Sequence, residues 1–197
     1  MMLVEETSVP SAALPVEEFK AHLRLGSGFS DESLQDSVLE SFLRAAMAAI
    51  EARTGKVLLE RSFSWTLVAW RNSCAQPLPT APVNAIESVS LEDRLGEQVV
   101  VASSAYRLFP DLQSPELRPV GNALPTIPND GRVVVGFLAG YGPEWSDLPA
   151  DLQQAVLLLA AHYYEYRDET ALSGGCMPFG VTSLIARYRP VRLGAGR

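Results

Sequence analysis

Prolines divide this chain into stretches that can be helical and one that cannot. Nine of the 14 prolines lie between Pro77 and Pro143. A proline ring removes a backbone donor and clashes with the preceding helical turn, so long helices are excluded there. Short strands and turns remain possible. Phe63-Ser64-Trp65-Thr66-Leu67 alternates apolar and polar residues, as a half-buried strand does. Ile86 to Leu91 alternates similarly, and Gly96 can turn the chain into Val99-Val100-Val101. Asn129-Asp130-Gly131 is a turn signal ahead of Arg132-Val133-Val134-Val135-Gly136-Phe137. Residues 57–142 therefore read as an inserted antiparallel β lobe.

The flanks follow a helical period. A first helix is expected over about Val16 to Leu25, with Pro15 at its start, Glu17 and Glu18 in its first turn and Gly26 as its stop. A second runs from about Asp31 to Thr54, capped by Ser30 and ended by Gly55. It carries two adjacent stripes: Leu34, Val38, Phe42, Ala45 and Ala49, then Leu39, Leu43, Ala46 and Ile50. A third, from about Pro149 to Arg167, places Leu152, Ala155, Val156, Leu159, Tyr163 and Tyr166 in register, with Leu157 and Leu158 on other faces. A helix apolar nearly all round is buried on all sides, either in its own subunit or against a neighbour. After a Ser173-Gly174-Gly175 joint, Pro178 to Tyr188 forms a short helix. The expected fold is α+β. A small α-helical bundle, with three main helices plus the short C-terminal one, comes from residues 1–56 and 143–189. The β lobe occupies 57–142, and 190–197 form an extended tail.

Composition narrows the function. The 197 residues are 47% apolar and 20% charged, which excludes wholesale disorder. A net charge of −7 argues against a free-standing duplex-DNA binder, which would show a basic footprint. The charge is uneven: −5 over residues 1–60, −6 over 61–169 and +4 over 170–197. Cys74 and Cys176 form no C-x-x-C pair, so zinc-ribbon and thioredoxin-type sites are unsupported. The first ten residues lack the basic and apolar runs of a signal peptide. The longest apolar run, Ala155 to Ala161, falls short of the ~20 residues of a membrane span. Synthesis and retention in a cytosol, with no membrane partner, are the expectation.

Chemistry is sparse. His162 and Glu165 stand three apart and could face one metal. A carboxylate-bridged di-metal bundle needs more, and no second His–carboxylate pair three apart accompanies them. This pair carries the alternative of a small cytosolic metal- or ligand-binding enzyme. Gly136-x-x-x-Gly140-x-Gly142 matches no phosphate-binding loop and reads as a tight strand exit. No G-x-S-x-G and no H-E-x-x-H occurs. No enzyme and no cofactor is expected. Tyr163-Tyr164-x-Tyr166 beside Arg167 suits the rim of a helix interface.

Several segments together form a pattern. Leu14-Pro15-Val16-Glu17-Glu18-Phe19-Lys20-Ala21-His22-Leu23-Arg24 resembles the opening helix of head–tail connector (adaptor) proteins of tailed bacteriophages and gene transfer agents. Glu51-Ala52-Arg53-Thr54-Gly55-Lys56 is similar to the end of that family's second helix. Leu138-Ala139-Gly140-Tyr141-Gly142, then Leu148-Pro149-Ala150-Asp151-Leu152-Gln153-Gln154-Ala155, is the most specific stretch. His162-Tyr163-Tyr164-Glu165-Tyr166-Arg167 follows at the family's spacing. The β lobe matches loosely, through Leu78-Pro79-x-x-Pro82-Val83 and Tyr106.

The resemblance implies a structural protein at the head–tail interface of a phage-like particle. It would form a ring, twelvefold in relatives, beneath the portal. That ring would extend the DNA channel and dock the next neck or tail protein. Duplex DNA would pass without specific binding. The segment implied to reach the portal carries Arg187, Tyr188, Arg189, Val191, Arg192, Leu193 and Arg197. A ring is a closed head-to-tail assembly and needs two different sticky faces. Phe42, Ala46 and Ile50 on the second helix, with Leu157, Leu158, Tyr163 and Tyr166 on the third, are the expected subunit contacts. A tail-completion or stopper protein of the same neck is the other structural reading.

Overall fold

The computed structural model describes residues 1–25, 32–167 and 177–189. Their strands are β1 (Met2–Glu5), β2 (Arg61–Leu67), β3 (Gln76–Pro77), β4 (Val83–Glu92), β5 (Gln98–Val100), β6 (Tyr106–Phe109), β7 (Glu116–Pro119) and β8 (Arg132–Ala139). Their α-helices are α1 (Val16–His22), α2 (Glu32–Thr54), α3 (Ala150–Glu165) and α4 (Phe179–Ile185). The fold class is α+β. Two units emerge, each made of two chain segments. Met1–Val9 joins Leu59–Pro143 in a β unit, and Pro10–Leu58 joins the described residues from Glu144 onward in a helical unit. The β unit therefore recruits the N-terminus, which the sequence pattern had left with the helices.

In the β unit a five-stranded antiparallel sheet runs β1-β2-β8-β4-β5, beside a three-stranded sheet β3-β7-β6. The alternation in β2 sends Phe63, Trp65 and Leu67 to a buried face, where Val133, Val135, Phe137 and Ala139 of β8 join them. Phe63 and Phe137 are register partners and stack at 5.6 Å. Burying each such side chain contributes about 1.5–3 kcal/mol. Arg61 falls on the same face by the same alternation and is only 9% exposed. A buried guanidinium needs a partner. Its Nη1 meets Glu5 Oε1 at 2.9 Å, and its plane lies over the Phe63 ring. That pair ties β1 to β2.

The alternation expected from Ile86 to Leu91 is only partly realised. Register shifts between Val83 and Ala85, and between Ile86 and Ser88, leave Val89 as the buried member. β3, β6 and β7, with two to four residues each, are too short for a periodic signal. Pro77 sits on an edge strand, where its missing donor costs no ladder bond. The glycine series has a steric cause. A Cβ at Gly136 would lie 2.7 Å from Ser88 Oγ. One at Gly140, where φ is +140°, would lie 2.5 Å from the Glu60 backbone.

In the helical unit the two stripes of α2 separate. Leu39, Leu43, Ala46, Met47 and Ile50 are buried; Phe42 and Ala49 are half-buried, and Val38 and Ala45 are exposed. Gly55, at φ +65°, ends the helix, and its N–H donates to the Glu51 carbonyl at 2.8 Å. α1 is fastened to α2 by Lys20, whose Nζ lies 2.7 Å from Asp36 and 2.8 Å from Glu17. Those two carboxylates, Asp36 foremost, hold Lys20 above the ordinary lysine range. α3 buries Leu152, Ala155, Val156, Leu159, Ala160 and Ala161 and packs against both α2 and α4. The expected three main helices are instead two long ones of 23 and 16 residues and two short ones of seven. Gly26, Ser30, the 173–175 joint and the 190–197 tail lie outside the described residues.

Candidate assembly surfaces

The seven expected subunit-contact residues divide by exposure. Ala46 and Ile50 are fully buried in the core stripe of their own helix, because the i, i+4 spacing aligns them with Leu39 and Leu43. They present nothing to a neighbour. Phe42, Leu157, Leu158 and Tyr163 are half-buried, and Tyr166 is exposed. Phe42 meets Tyr164 edge-to-face at 5.9 Å, Arg167 lies 4.9 Å over the same tyrosine, and His162 packs on Tyr166 at 4.7 Å. This is an amphipathic aromatic rim at the end of α3. The His162/Glu165 pair gains no further ligand among the described residues. Among the described residues no group of three His, Cys, Asp or Glu side chains could hold a metal.

Of the seven expected portal-binding residues, Val191, Arg192, Leu193 and Arg197 lie outside the described residues. Arg189 is exposed. The other two make contacts within the subunit, Tyr188 as a buried residue and Arg187 as an exposed one. Tyr188 is 8% exposed, and its hydroxyl donates to Asp151 Oδ1 at 2.7 Å. Arg187 meets Asp151 Oδ2 at 2.9 Å, donates to the Tyr188 hydroxyl and lies over the Tyr188 ring. Burial, with the Asp151 hydrogen bond, pushes the Tyr188 phenol above its ordinary range. The sequence signal for this was slight: an acid in the first turn of a helix.

The sheet edges were not anticipated. β1 and β5 end the five-stranded sheet, and every residue of both is exposed. Met2, Leu3, Val4, Val99 and Val100 thus present apolar side chains on open backbone edges. At the β6–β7 hairpin Phe109 stacks under Arg118 at 3.8 Å, and Leu112 is exposed at the turn. A shallow depression of about 500 Å³ between Val68, Trp70, Leu124 and Ile127 has no titratable side chain in its lining. No helix among the described residues is long and apolar enough to cross a membrane.

Apolar sheet edges and an aromatic rim are surfaces on which a protein can assemble with others. No family model and no curated relative matches the chain. Solved structures do. A chain in the neck of an empty gene transfer agent particle, computed with C6 symmetry, is 51% identical over the whole of both chains, with a TM-score of 0.90. A chain in the neck of the native particle, computed with C12 symmetry, is 48% identical over the same span, with a TM-score of 0.86. One in the native virion is 51% identical across 100% of this chain and 99% of its own, with a TM-score of 0.87. The fold and surfaces are thus those of a structural neck component of a phage-like particle. The chain belongs to the family of gene transfer agent neck proteins.

Proposed function

We propose that this protein is the head–tail connector of its particle: a ring under the portal that extends the DNA channel and docks the next neck protein. The carrying observation is the 51% identity, over the full length of both chains, to a component of a neck computed with rotational symmetry. Twelve copies is the reading favoured by the neck computed with C12 symmetry. Ring contacts are assigned to Phe42, Leu157, Leu158, Tyr163 and Tyr166, since Ala46 and Ile50 are core. The acidic body, −11 over residues 1–169, repels phosphate and suits a channel through which DNA slides. The basic tail, residues 190–197, engages acidic groups of the portal through Arg192 and Arg197, with Val191 and Leu193 as apolar anchors.

Imaging of purified particles tests the reading. The expected result is this chain in a symmetric layer touching the portal. Finding it only in a layer separated from the portal would assign it as a stopper or tail-completion protein instead.

A further inference from the structure

The tail begins at a fixed point. The last described turn, Ala186–Tyr188, is held 37 residues away in sequence at the first turn of α3. Three groups close a ring of contacts. Asp151 uses Oδ1 to accept from Tyr188 and Oδ2 to meet Arg187, while Arg187 also donates to the Tyr188 hydroxyl. Charge-assisted bonds of this kind are directional as well as strong. Asp151 is itself oriented. It occupies the first turn of a 16-residue helix, where the helix dipole favours an anion, and its Oδ1 accepts from the Leu152 N–H at 3.0 Å. Below the contact, Val181 and Ile185 of α4 are fully buried, so the turn has little freedom to shift. Tyr188 is buried within the subunit and poorly placed to reach a partner, while Arg187, 68% exposed, spends its guanidinium on Asp151 and the Tyr188 hydroxyl.

We infer that Asp151, Tyr188 and Arg187 form a clasp that sets where, and in which direction, the chain leaves the helical unit after Arg189. Asp151 is then a positioning residue for portal engagement, although it does not touch the portal. This rests on the proposed role of residues 190–197. A segment binds more tightly when its root is held in the right place, because less freedom is lost on docking. The clasp supplies that hold to eight residues that carry the charge and apolar groups for contact.

The test uses the full chain and the purified portal ring of the same particle. Binding is measured for wild type, Asp151→Asn, Tyr188→Phe and Arg187→Gln, each with and without residues 190–197, alongside melting temperature. The expected result is about tenfold weaker binding for Asp151→Asn and Tyr188→Phe in the full chain. Neither should weaken it further once 190–197 are removed. Equal losses with and without the tail would show that the clasp only supports the fold, and would overturn the inference. So would wild-type binding by the clasp variants when tail deletion alone weakens it. If tail deletion leaves binding unchanged, the assigned role of the tail fails, and the clasp loses its function with it. Should Asp151→Asn unfold the helical unit, the Tyr188→Phe and Arg187→Gln pair decides the question.

Discussion

Gly140 shows how one residue can be required without touching any partner. It leaves β8 at φ +140° with the Glu60 backbone 2.5 Å from where a Cβ would stand. Gly140→Ala is expected to cost about 2 kcal/mol or more, read as a lower denaturant midpoint with an unchanged slope. Glu92 makes a different point. It is the register partner of Arg132 across β4 and β8, and the two are ion-paired. The Arg132 hydrogen bond holds the Glu92 carboxyl below its ordinary value of 4.5. Its stabilising share is therefore complete above that value and is lost as pH falls through the lowered folded value. Arg132→Met should flatten the decline in stability on the acid side of pH 4.5, followed by melting temperature against pH. A variant as acid-sensitive as wild type would count against the pair. Asp151 and Tyr188 could not be joined from the sequence, because nothing local links residues 37 apart.

At the level of elements, periodicity was legible where it was long. The second and third helices lie within two residues of their expected limits, because 3.6-residue spacing repeats over several turns. Which stripe of α2 turns inward was not legible. Both stripes are apolar, and only packing on α1 and α3 selects Leu39, Leu43, Ala46 and Ile50. Two of the three expected second-helix contacts, Ala46 and Ile50, were thereby lost to the core. Met2-Leu3-Val4-Glu5 was too brief to read as a strand, yet it adds to the sheet as β1. The exposed apolar edges at β1 and β5 carry neither proline nor lysine to deter pairing. Val99→Lys is expected to leave the melting temperature within about 1 °C, because the side chain is 64% exposed. The same change should lower self-association at high protein concentration, measured by light scattering. Leu43→Ala, in contrast, removes a fully buried side chain and should cost about 3 kcal/mol in chemical unfolding.

Over the whole molecule, the α+β class and a proline-rich β segment were visible in the sequence, but the partition was not. Assigning Met1–Val9 to the β unit requires knowing that Glu5 meets a buried Arg61 56 positions later. Removing residues 1–9 is expected to lower hydrogen-exchange protection across β2, while α3 keeps its own, as followed by mass spectrometry. Each unit is stitched from an early and a late piece of chain. β2 must wait for β8, which ends at Ala139, and α2 must wait for α3, which begins at Ala150. During synthesis, then, neither unit can be completed from the N-terminal half alone. A ribosome stalled midway would hold unpaired strands and a half-covered helix, never a finished subunit. Contacts that need a finished subunit must therefore wait for the whole chain, and until then the unpaired strand edges are open to misjoining.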